Sequence, residues 1–502
     1  MIRRKERWVL ALLFAVIGMQ PCLSTPLNNV FDTQPLYNVF GLDKFYKERD
    51  KGEIRLHISP FYQSGSTARN DDGIKVPAGD RLGKWNMFGI FFGQPAAPTP
   101  PNPINFAAVP PAAGMPFSSY LTAGNSIRTT TIQALSDSRY RVGPMAGAVV
   151  DGGLTAETNF KPEKHTFAYI SQPTEYEKLG VRSQLNFDFG FGLGVVAKGG
   201  VVDIKNAPSQ FILEKQFGIT NGVVTAGTGD PAAEVGDSLA DAKAIFNALF
   251  ESKKLKGITS DLGINLNTYR KTAAEDLLLQ LYWHFPFDFE DRAGDVAVTV
   301  VPYLAAGAWV PVNDALKQNN PFAVPVGNDG YYGFVAEGSL AFDFPVVPRS
   351  EQTLQVAVGG GVMLFNEMTL KQQRFPSSPC QAGLIPWQTD IRKTPGITWY
   401  FNGSMKAEEF VDGLSVYLDY MYTQHLRDSV TILESTPARL DAFKNGLDLY
   451  KRQSAWTNQQ VNAGFNYRIT DSLMLGGAVQ GHISGVRVMR TVTVLGSITL
   501  AL

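Results

Sequence analysis

Long segments in which apolar and polar residues alternate one by one constrain this chain more than any other feature. Residues 181–192 read VRSQLNFDFGFG, which places Leu185 and Phe187 in one set and Arg182 and Asn186 in the other. A β-strand sends successive side chains to opposite faces. The segment is therefore predicted to form a strand with one apolar face and one polar face.

The alternation recurs along the chain and predicts about twelve strands. These lie at residues 53–62, 178–190, 192–205, 276–289, 295–310, 331–344, 353–366, 396–407, 413–425, 455–468, 472–485 and 486–502. Strands of soluble proteins average about five or six residues, whereas about ten tilted residues cross a bilayer. The length therefore predicts that the apolar face meets lipid. A further pair of strands at 83–93 and 262–270 gives fourteen as the alternative.

The connections between the predicted strands differ in length. They are short at residues 290–295, 345–352, 408–412 and 469–471, and long at 311–330, 367–395 and 426–454. This strict alternation in the C-terminal half is typical of short periplasmic turns and longer outer loops. With both chain ends in the periplasm, aromatic pairs fall at the periplasmic ends of four strands, as in an interfacial girdle. They are Phe187/Phe189, Phe287/Phe289, Phe342/Phe344 and Phe465/Tyr467.

The last residues, VRVMRTVTVLGSITLAL, resemble the closing strand of bacterial outer-membrane β-barrels. Apolar residues alternate there up to Leu502, where the pattern of those proteins usually has an aromatic residue. The resemblance is to the porin-like class. It implies an all-β fold, a transmembrane antiparallel up-and-down β-barrel with long extracellular or plugging loops. It also implies two partners, the outer-membrane lipid and the barrel-assembly machinery.

The first residues, MIRRKERWVLALLFAVIGMQPCLS, indicate export. A basic start precedes an apolar run at 8–19 that is too short to span a bilayer as a helix. We interpret residues 1–24 as a cleaved signal peptide, which predicts localisation in the outer membrane of a Gram-negative-type bacterium. Pro21 argues against a lipid anchor on Cys22. Cleavage leaves Cys380 as the single cysteine, without an internal disulfide.

The rest of the chain is predicted to contain a periplasmic extension or plug, the barrel, and two long connections. These lie at residues 25–52, 53–502, 63–177 and 206–275, in that order. Proline density in the first long connection predicts an extended loop, and residues 94–116 either narrow the lumen or project outward. The second connection carries a predicted helix at 237–254 that packs on the barrel or lines a binding site.

Composition and motifs exclude several function classes. The net charge of −1 gives no basis for nucleic-acid binding. The sequence lacks HExxH, P-loop, CxxC and GxSxG motifs, so we expect no cofactor, no metal and no enzyme activity. Two Ser–His pairs, Ser59 with His57 and Ser484 with His482, are each two residues apart on a strand. The strand rise puts such residues nearly 7 Å apart, which makes each pair a poor catalytic dyad.

Charged and imidazole side chains on the polar faces are the candidate lumen-lining residues. They are Arg55, His57, Arg182, Asp188, Glu337, Lys406, Asp419, Arg468, His482 and Arg487. Mixed signs suit a water-filled pore with weak ion preference, although a small barrel can also be filled by its own side chains and a plug. The sequence predicts a porin-like channel for passive diffusion of small polar solutes. A surface-exposed structural or adhesive barrel is the alternative, and a barrel hydrolase ranks below both.

Overall fold

A computed structural model shows a closed barrel of antiparallel strands. It describes residues 53–86, 149–150, 153–154, 169–209, 212–214, 264–292, 294–313, 319–346, 352–376, 388–435 and 437–501. The predicted signal peptide, the extension at 25–52, the segment 94–116, the helix at 237–254 and Cys380 lie outside these residues. Among the residues that the structure describes, no helix has the length and hydropathy needed to cross a bilayer.

Twelve strands form the wall of the barrel and follow one another around it in chain order. They are β1 (Glu53–Arg69), β2 (Thr174–Asp188), β3 (Leu193–Pro208), β4 (Tyr269–Ala274, Leu277–His284 and Phe287–Glu290), β5 (Val296–Val310), β6 (Gly333–Pro345), β7 (Thr353–Phe365), β8 (Thr398–Val411), β9 (Leu414–His425), β10 (Trp456–Thr470), β11 (Leu473–Val486) and β12 (Met489–Ala501).

The first strand closes the barrel. β1 pairs with β12 on one side, with Leu56 opposite Leu500, and with β2 on the other, with Leu56 opposite Leu185. The prediction of twelve strands is confirmed, and the fourteen-stranded alternative is wrong. The predicted extra pair does not form, because Tyr269–Ala274 is the first part of β4 and Trp85–Asn86 pairs outside the barrel.

The two faces of the wall differ as the alternation predicts. Leu279 and Leu418 are 42% and 52% exposed, whereas their chain neighbours Gln280 and Asp419 are 2% and 7% exposed. Apolar side chains therefore cover the outside and polar side chains the inside. This is the pattern of a transmembrane barrel, whose hydrogen bonds all close between strands.

One end of the barrel, the turn end, carries both described chain ends and short links; the other, the loop end, carries the long links. The alternation of link length is not strict, because Arg487 and Val488 alone join β11 to β12 at the loop end. The predicted first strand is also too short, since β1 continues to Arg69. Its last residues stay paired because Lys75–Pro77 folds back along them as an extra strand.

A small folded unit, here called the cap, stands on the loop end. It consists of the strands Met368–Arg374, Gln388–Thr394 and Ser429–Ile432, which form one sheet, and of helix α1 (Pro437–Ser454). Phe375 joins the two parts, with ring centroids 5.9 Å from Phe443 and 4.6 Å from Tyr450. Helix α1 is not among the elements predicted from the sequence, although proline, here Pro437, is favoured at the first position of a helix.

Shorter elements complete the loop end. They are the strands Lys75–Pro77, Trp85–Asn86, Val149–Val150, Gly153–Leu154, Tyr169–Ser171 and Ile212–Glu214, and the 3₁₀ helix Ala78–Asp80. The segment after β1 is held to the residues just before β2, because Asp80 accepts from the backbone amide of Gln172 at 2.7 Å. It also reaches the cap, since Gln453 of α1 donates to the carbonyl of Leu82 at 3.2 Å.

Candidate functional site

The candidate site is the inner wall of the barrel. Arg182, Asp188 and Asp419 lie on this wall, each at most 8% exposed. Glu337 and Lys406 lie on the inner faces of β6 and β8 and are half-buried. The role of these residues in lining a permeation path stays a prediction.

A buried cluster of opposite charges occupies the wall formed by β1, β2 and β4. Glu275 lies 2.7 Å from Lys178 Nζ and 2.8 Å from Arg182 Nε, and the Arg182 guanidinium stands 4.3 Å from the ring centroid of Phe61. Lys178 and Arg182 share a face because they are four residues apart on one strand. The side chain of Glu275 crosses the intervening strand β3 at Gly200. A Cβ atom on residue 200 would lie 2.8 Å from the Glu275 carboxylate.

Glu337 anchors a second cluster, farther round the wall. Its carboxylate accepts from the hydroxyl of Tyr400 at 2.5 Å and from the amide of Gln280 at 3.0 Å. Tyr400 reaches it from β8 across β7, and this path is open because residue 361 is glycine; a Cβ atom there would overlap the tyrosine hydroxyl. Both carboxylate oxygens of Glu337 are therefore bonded to wall residues rather than directed across the lumen.

Tyr282 lies along the wall in the same way. Its ring crosses Gly194 of β3, and its hydroxyl lies 3.3 Å from Asp188 on β2. Large lumen side chains thus extend along the wall over glycines of the neighbouring strand. They leave the centre of the barrel less filled than side chains pointing straight inward would.

Ion pairs ring the turn end of the lumen. Arg55 contacts Glu53 at 2.6 Å, Lys406 contacts Glu408 at 3.1 Å, and Arg468 contacts Glu409 at 3.1 Å. Their side chains are 13–31% exposed, against 2–10% in the Glu275 cluster. These three ion pairs are therefore more exposed than the Glu275 cluster.

His57 forms a chain of hydrogen bonds with two hydroxyl groups. Its Nε2 lies 2.7 Å from Ser59 Oγ, and its Nδ1 lies 2.7 Å from Thr499 Oγ1. The sequence-based objection to a Ser59–His57 contact is wrong. The Cα atoms are two residues apart, but the imidazole extends along the strand and closes the gap. A hydroxyl, not a carboxylate, stands at Nδ1, so the third group typical of a catalytic triad is not present there.

The two remaining candidates lie near the loop end. His482 Nδ1 lies 2.7 Å from Asn458 Oδ1 on the inner wall, so its ring is oriented by an asparagine of the neighbouring strand. Arg487 lies in the link between β11 and β12, outside the strands, where its Nε bonds to Asp71 at 2.5 Å. The left-handed φ of 52° at Arg487 marks this tight turn.

The link between β5 and β6 folds into the mouth of the barrel; we call its described residues 319–332 the inner loop. Asp276, in the break between two parts of β4, accepts from the backbone amide of Asn328 and, at 3.1 Å, from that of Val312. Asn206, on the inner face of β3, donates to the carbonyl of Phe322 at 2.9 Å. Val324 and Val326 pack in a buried cluster with wall residues such as Ile204. The inner loop therefore narrows the mouth on the β3–β4 side.

Asp428 ties the cap to the barrel. It lies 3.0 Å from Lys393 Nζ of the cap sheet and 2.9 Å from His425 Nε2 at the end of β9. Its backbone amide donates to Ser454 Oγ at the end of α1 at 2.8 Å. Burial alone would raise the pKa of Asp428, but Lys393 and His425 together hold it below its usual value.

Sequence reasoning missed the residues that hold the lumen together. Lys178 lies on a predicted strand but was not selected, and Glu275 lies one residue before one. The sequence places Lys178 and Arg182 on the same face of one predicted strand, and this spacing is the signal that could have identified the pair. Glu275 could not be placed, because the strand is irregular there. The residues that the structure describes contain no group of histidine, cysteine, aspartate and glutamate able to hold a metal ion.

No family model and no curated protein matches this sequence. Solved structures with a similar fold include an outer membrane channel from Pseudomonas putida F1, with 7% identity and a TM-score of 0.40, covering 91% of this chain and 98% of that one. A Pseudomonas aeruginosa FadL homologue has 9% identity and a TM-score of 0.22, covering 90% and 89%. The CymD monoaromatic hydrocarbon channel has 8% identity and a TM-score of 0.24, covering 66% of this chain and 77% of that one. At so low an identity and TM-score, these structures carry no argument about the function of this chain.

Proposed function

We propose that this chain is an outer-membrane channel through which small polar solutes diffuse passively. The observation that carries the proposal is the sorting of side chains between the two faces of a closed barrel, with Leu418 outside and Asp419 inside. An apolar outer face suits lipid, and an inner face of amides, hydroxyls and paired charges suits water and polar solutes. It does not suit a hydrophobic tunnel.

The proposed orientation places the turn end in the periplasm and the loop end outside the cell. Residues 1–24 would direct export and be removed, and the last strand would be recognised by the barrel-assembly machinery. Short links at the turn end and the folded cap at the loop end support this orientation.

Two features favour a pore over a barrel filled by its own side chains. Tyr282 and Tyr400 run along the wall over glycines rather than across the lumen. Paired charges at the turn end keep partial exposure, so polar surface remains accessible from that side. Against them, the inner loop fills part of the mouth. We therefore propose a channel with its narrowest part near the loop end.

Single-channel recording on the refolded protein in planar bilayers tests this proposal. We expect stepwise conductance in the wild type, and a larger conductance when residues 319–330 of the inner loop are replaced by a short Gly-Ser linker. The wall should stay intact, because those residues belong to no barrel strand. A folded wild type that gives no conductance steps would contradict the channel.

The second candidate is a surface-exposed structural or adhesive barrel that binds partners through its long links. The cap favours it, because a sheet and a helix with a buried aromatic contact form a surface fixed enough to recognise another molecule. A silent bilayer with intact folding is the result expected for this candidate. The Ser59–His57 contact gives a hydrolase less support than either, since Thr499 occupies the third position. We propose that the chain is not an enzyme.

A further inference from the structure

Cationic side chains stand next to one another on the outside of the barrel at the loop end, where the first strand meets the last. Lys75 is directly opposite Arg69 in the pairing of the extra strand Lys75–Pro77 with β1. Arg490 of β12 is opposite Thr67 of β1, so it is a diagonal neighbour of Arg69, roughly 7–8 Å away across the sheet. We call Arg69, Lys75 and Arg490 the basic edge.

The burial of neighbouring residues shows that the basic edge faces outward. Ala68, next to Arg69, is 0% exposed, and Met489, next to Arg490, is 2% exposed. Because side chains alternate along a strand, Arg69 and Arg490 point to the opposite face, the one on which Val492 is 51% exposed. Arg490 lies two residues, or roughly 7 Å, beyond Val492 towards the loop end. The basic edge therefore lies at the rim of the apolar belt, where lipid headgroups begin.

The charges of the basic edge have no carboxylate partner among the described residues. Arg69 donates to two backbone carbonyls, that of Gly73 at 2.7 Å and that of Ile483 at 3.2 Å. Neither Lys75 nor Arg490 forms an ion pair within the part of the chain that the structure describes. Like charges directly opposite each other in a sheet repel. A negative group from outside the chain would therefore stabilise this arrangement.

The acidic residues of the same hairpin do not supply that negative group. Asp71 is bound to Arg487 in the link between β11 and β12, at 2.5 Å. Asp72 is exposed in the turn and makes no ion pair with any described residue.

Outward cations on β3 and β4 provide a contrast at the same end of the barrel. Arg270 lies 2.9 Å from Asp203, and Lys205 lies 3.0 Å from Glu177. Their charges are compensated within the wall, so an anion gains less there than at the basic edge. The difference marks one side of the barrel, the seam between β1 and β12.

The chemistry of the basic edge points to phosphate. Guanidinium and ammonium groups offer donors and no acceptor, and a guanidinium can bind two phosphate oxygens at once. Basic clusters at the rim of a membrane protein bind anionic headgroups, and the outer leaflet of a Gram-negative outer membrane is a glycolipid with phosphorylated sugars. We infer that the basic edge binds phosphate groups of this glycolipid and so anchors the β1–β12 seam. The inference rests on the proposed orientation of the loop end and not on conductance.

Binding of fluorescent diphosphoryl lipid A to the folded protein in neutral detergent tests the inference. We expect saturable binding by the wild type, weakened at least about tenfold in the double variant Lys75→Gln, Arg490→Gln, since charge-assisted hydrogen bonds are lost. The matched control Lys205→Gln, Arg270→Gln changes the net charge equally and should stay within about twofold of the wild type. Lipid A without its phosphate groups should bind at least about tenfold more weakly than the diphosphoryl form.

Inorganic phosphate distinguishes the lipid from a free anion. It should displace labelled lipid A only at concentrations at least about a hundredfold above those of unlabelled lipid A, because it lacks acyl chains that contact the apolar belt. Displacement at equal concentrations would assign the basic edge to free phosphate and overturn the lipid.

The remaining outcomes decide the basic edge separately from the channel. Equal losses in the double variant and the control, or equal binding of lipid A with and without phosphate, would overturn the inference. If the double variant does not fold, Lys75→Glu changes one exposed side chain outside the twelve strands, and undiminished binding in it would overturn the inference as well. A folded wild type that is silent in planar bilayers contradicts the channel alone, because lipid binding is measured in detergent.

Discussion

The substitution Leu418→Arg places a charge on the lipid face at mid-depth. Leu418 is 52% exposed on the outside of β9. Towards the turn end, its neighbour Val416 is opposite Phe465, and towards the loop end Tyr422 lies 5.2 Å from Trp399. The residue therefore lies between two aromatic levels, where an arginine cannot easily reach either interface.

The cost follows from that depth. An arginine at the bilayer midplane of a barrel costs about 2–4 kcal/mol, falling to about 0–1 kcal/mol near the interface. Since each 1.36 kcal/mol is about a factor of ten, the folding equilibrium of Leu418→Arg should fall about 30- to 900-fold. Ser415→Arg is the matched control on the same strand. Ser415 faces inward, and its Oγ accepts from the backbone amide of Glu409 at 3.3 Å.

Both variants should be compared by urea titration of folding into lipid vesicles, followed by tryptophan fluorescence and by heat-modifiable gel mobility. We expect Ser415→Arg to stay within about 1 kcal/mol of the wild type, because the new cation reaches lumen water. An equal loss in the two variants, or no loss in Leu418→Arg, would refute the assignment of the two faces and with it the transmembrane barrel.

Three further predictions concern the inner loop, the cap and the Glu275 cluster. Asp276→Ala removes the acceptor for the inner loop and should raise mean conductance in a folded barrel; unchanged conductance would mean that the loop does not narrow the path. Asp428→Asn should speed proteolysis of the cap at neutral pH. The folded-state pKa of Asp428 is lowered, so its contribution to the stability of the cap is complete above about pH 4 and is lost as the pH falls further. If the variant were still cleaved faster than the wild type at a pH well below about 4, this role of Asp428 would be contradicted. Glu275→Gln should destabilise the barrel by about 3–5 kcal/mol in urea titration, since it leaves two buried cations. The exposed control Glu175→Gln should change stability by less than about 0.5 kcal/mol, and equal effects would contradict the role of the cluster.

The sequence was sufficient for the barrel because the bilayer imposes one rule on every strand. Each predicted strand has a counterpart in the wall, and residues such as Leu279 and Gln280 lie on the predicted faces. The rule fails where the backbone departs from regular alternation. Glu275 lies between two parts of β4, and Arg487 lies in a turn with left-handed φ. The side-chain direction of neither residue therefore follows from the two-residue alternation of a strand.

The connections could not be predicted for a different reason. Contacts such as that between Asp276 and the amide of Asn328 join residues 52 positions apart, and no local pattern encodes them. From the sequence, the proline-rich segment 94–116 either narrows the lumen or projects outward, and it lies outside the described residues. Among the residues that the structure describes, the inner loop at 319–332 lies in the mouth of the barrel.

The charged groups that pair at the turn end are more exposed than those that lie beneath the cap. At the turn end the charged groups are paired in the plane of the wall and keep contact with solvent, as Arg55 and Glu53 do at 21% and 31% exposure. At the loop end Asp428 and His425 are fully buried beneath the cap. Displacing a buried, hydrogen-bonded charged side chain costs more free energy than rotating an exposed one, because the exposed side chain is always partly hydrated. In the proposed channel, resistance to a polar solute is therefore concentrated under the cap and the inner loop.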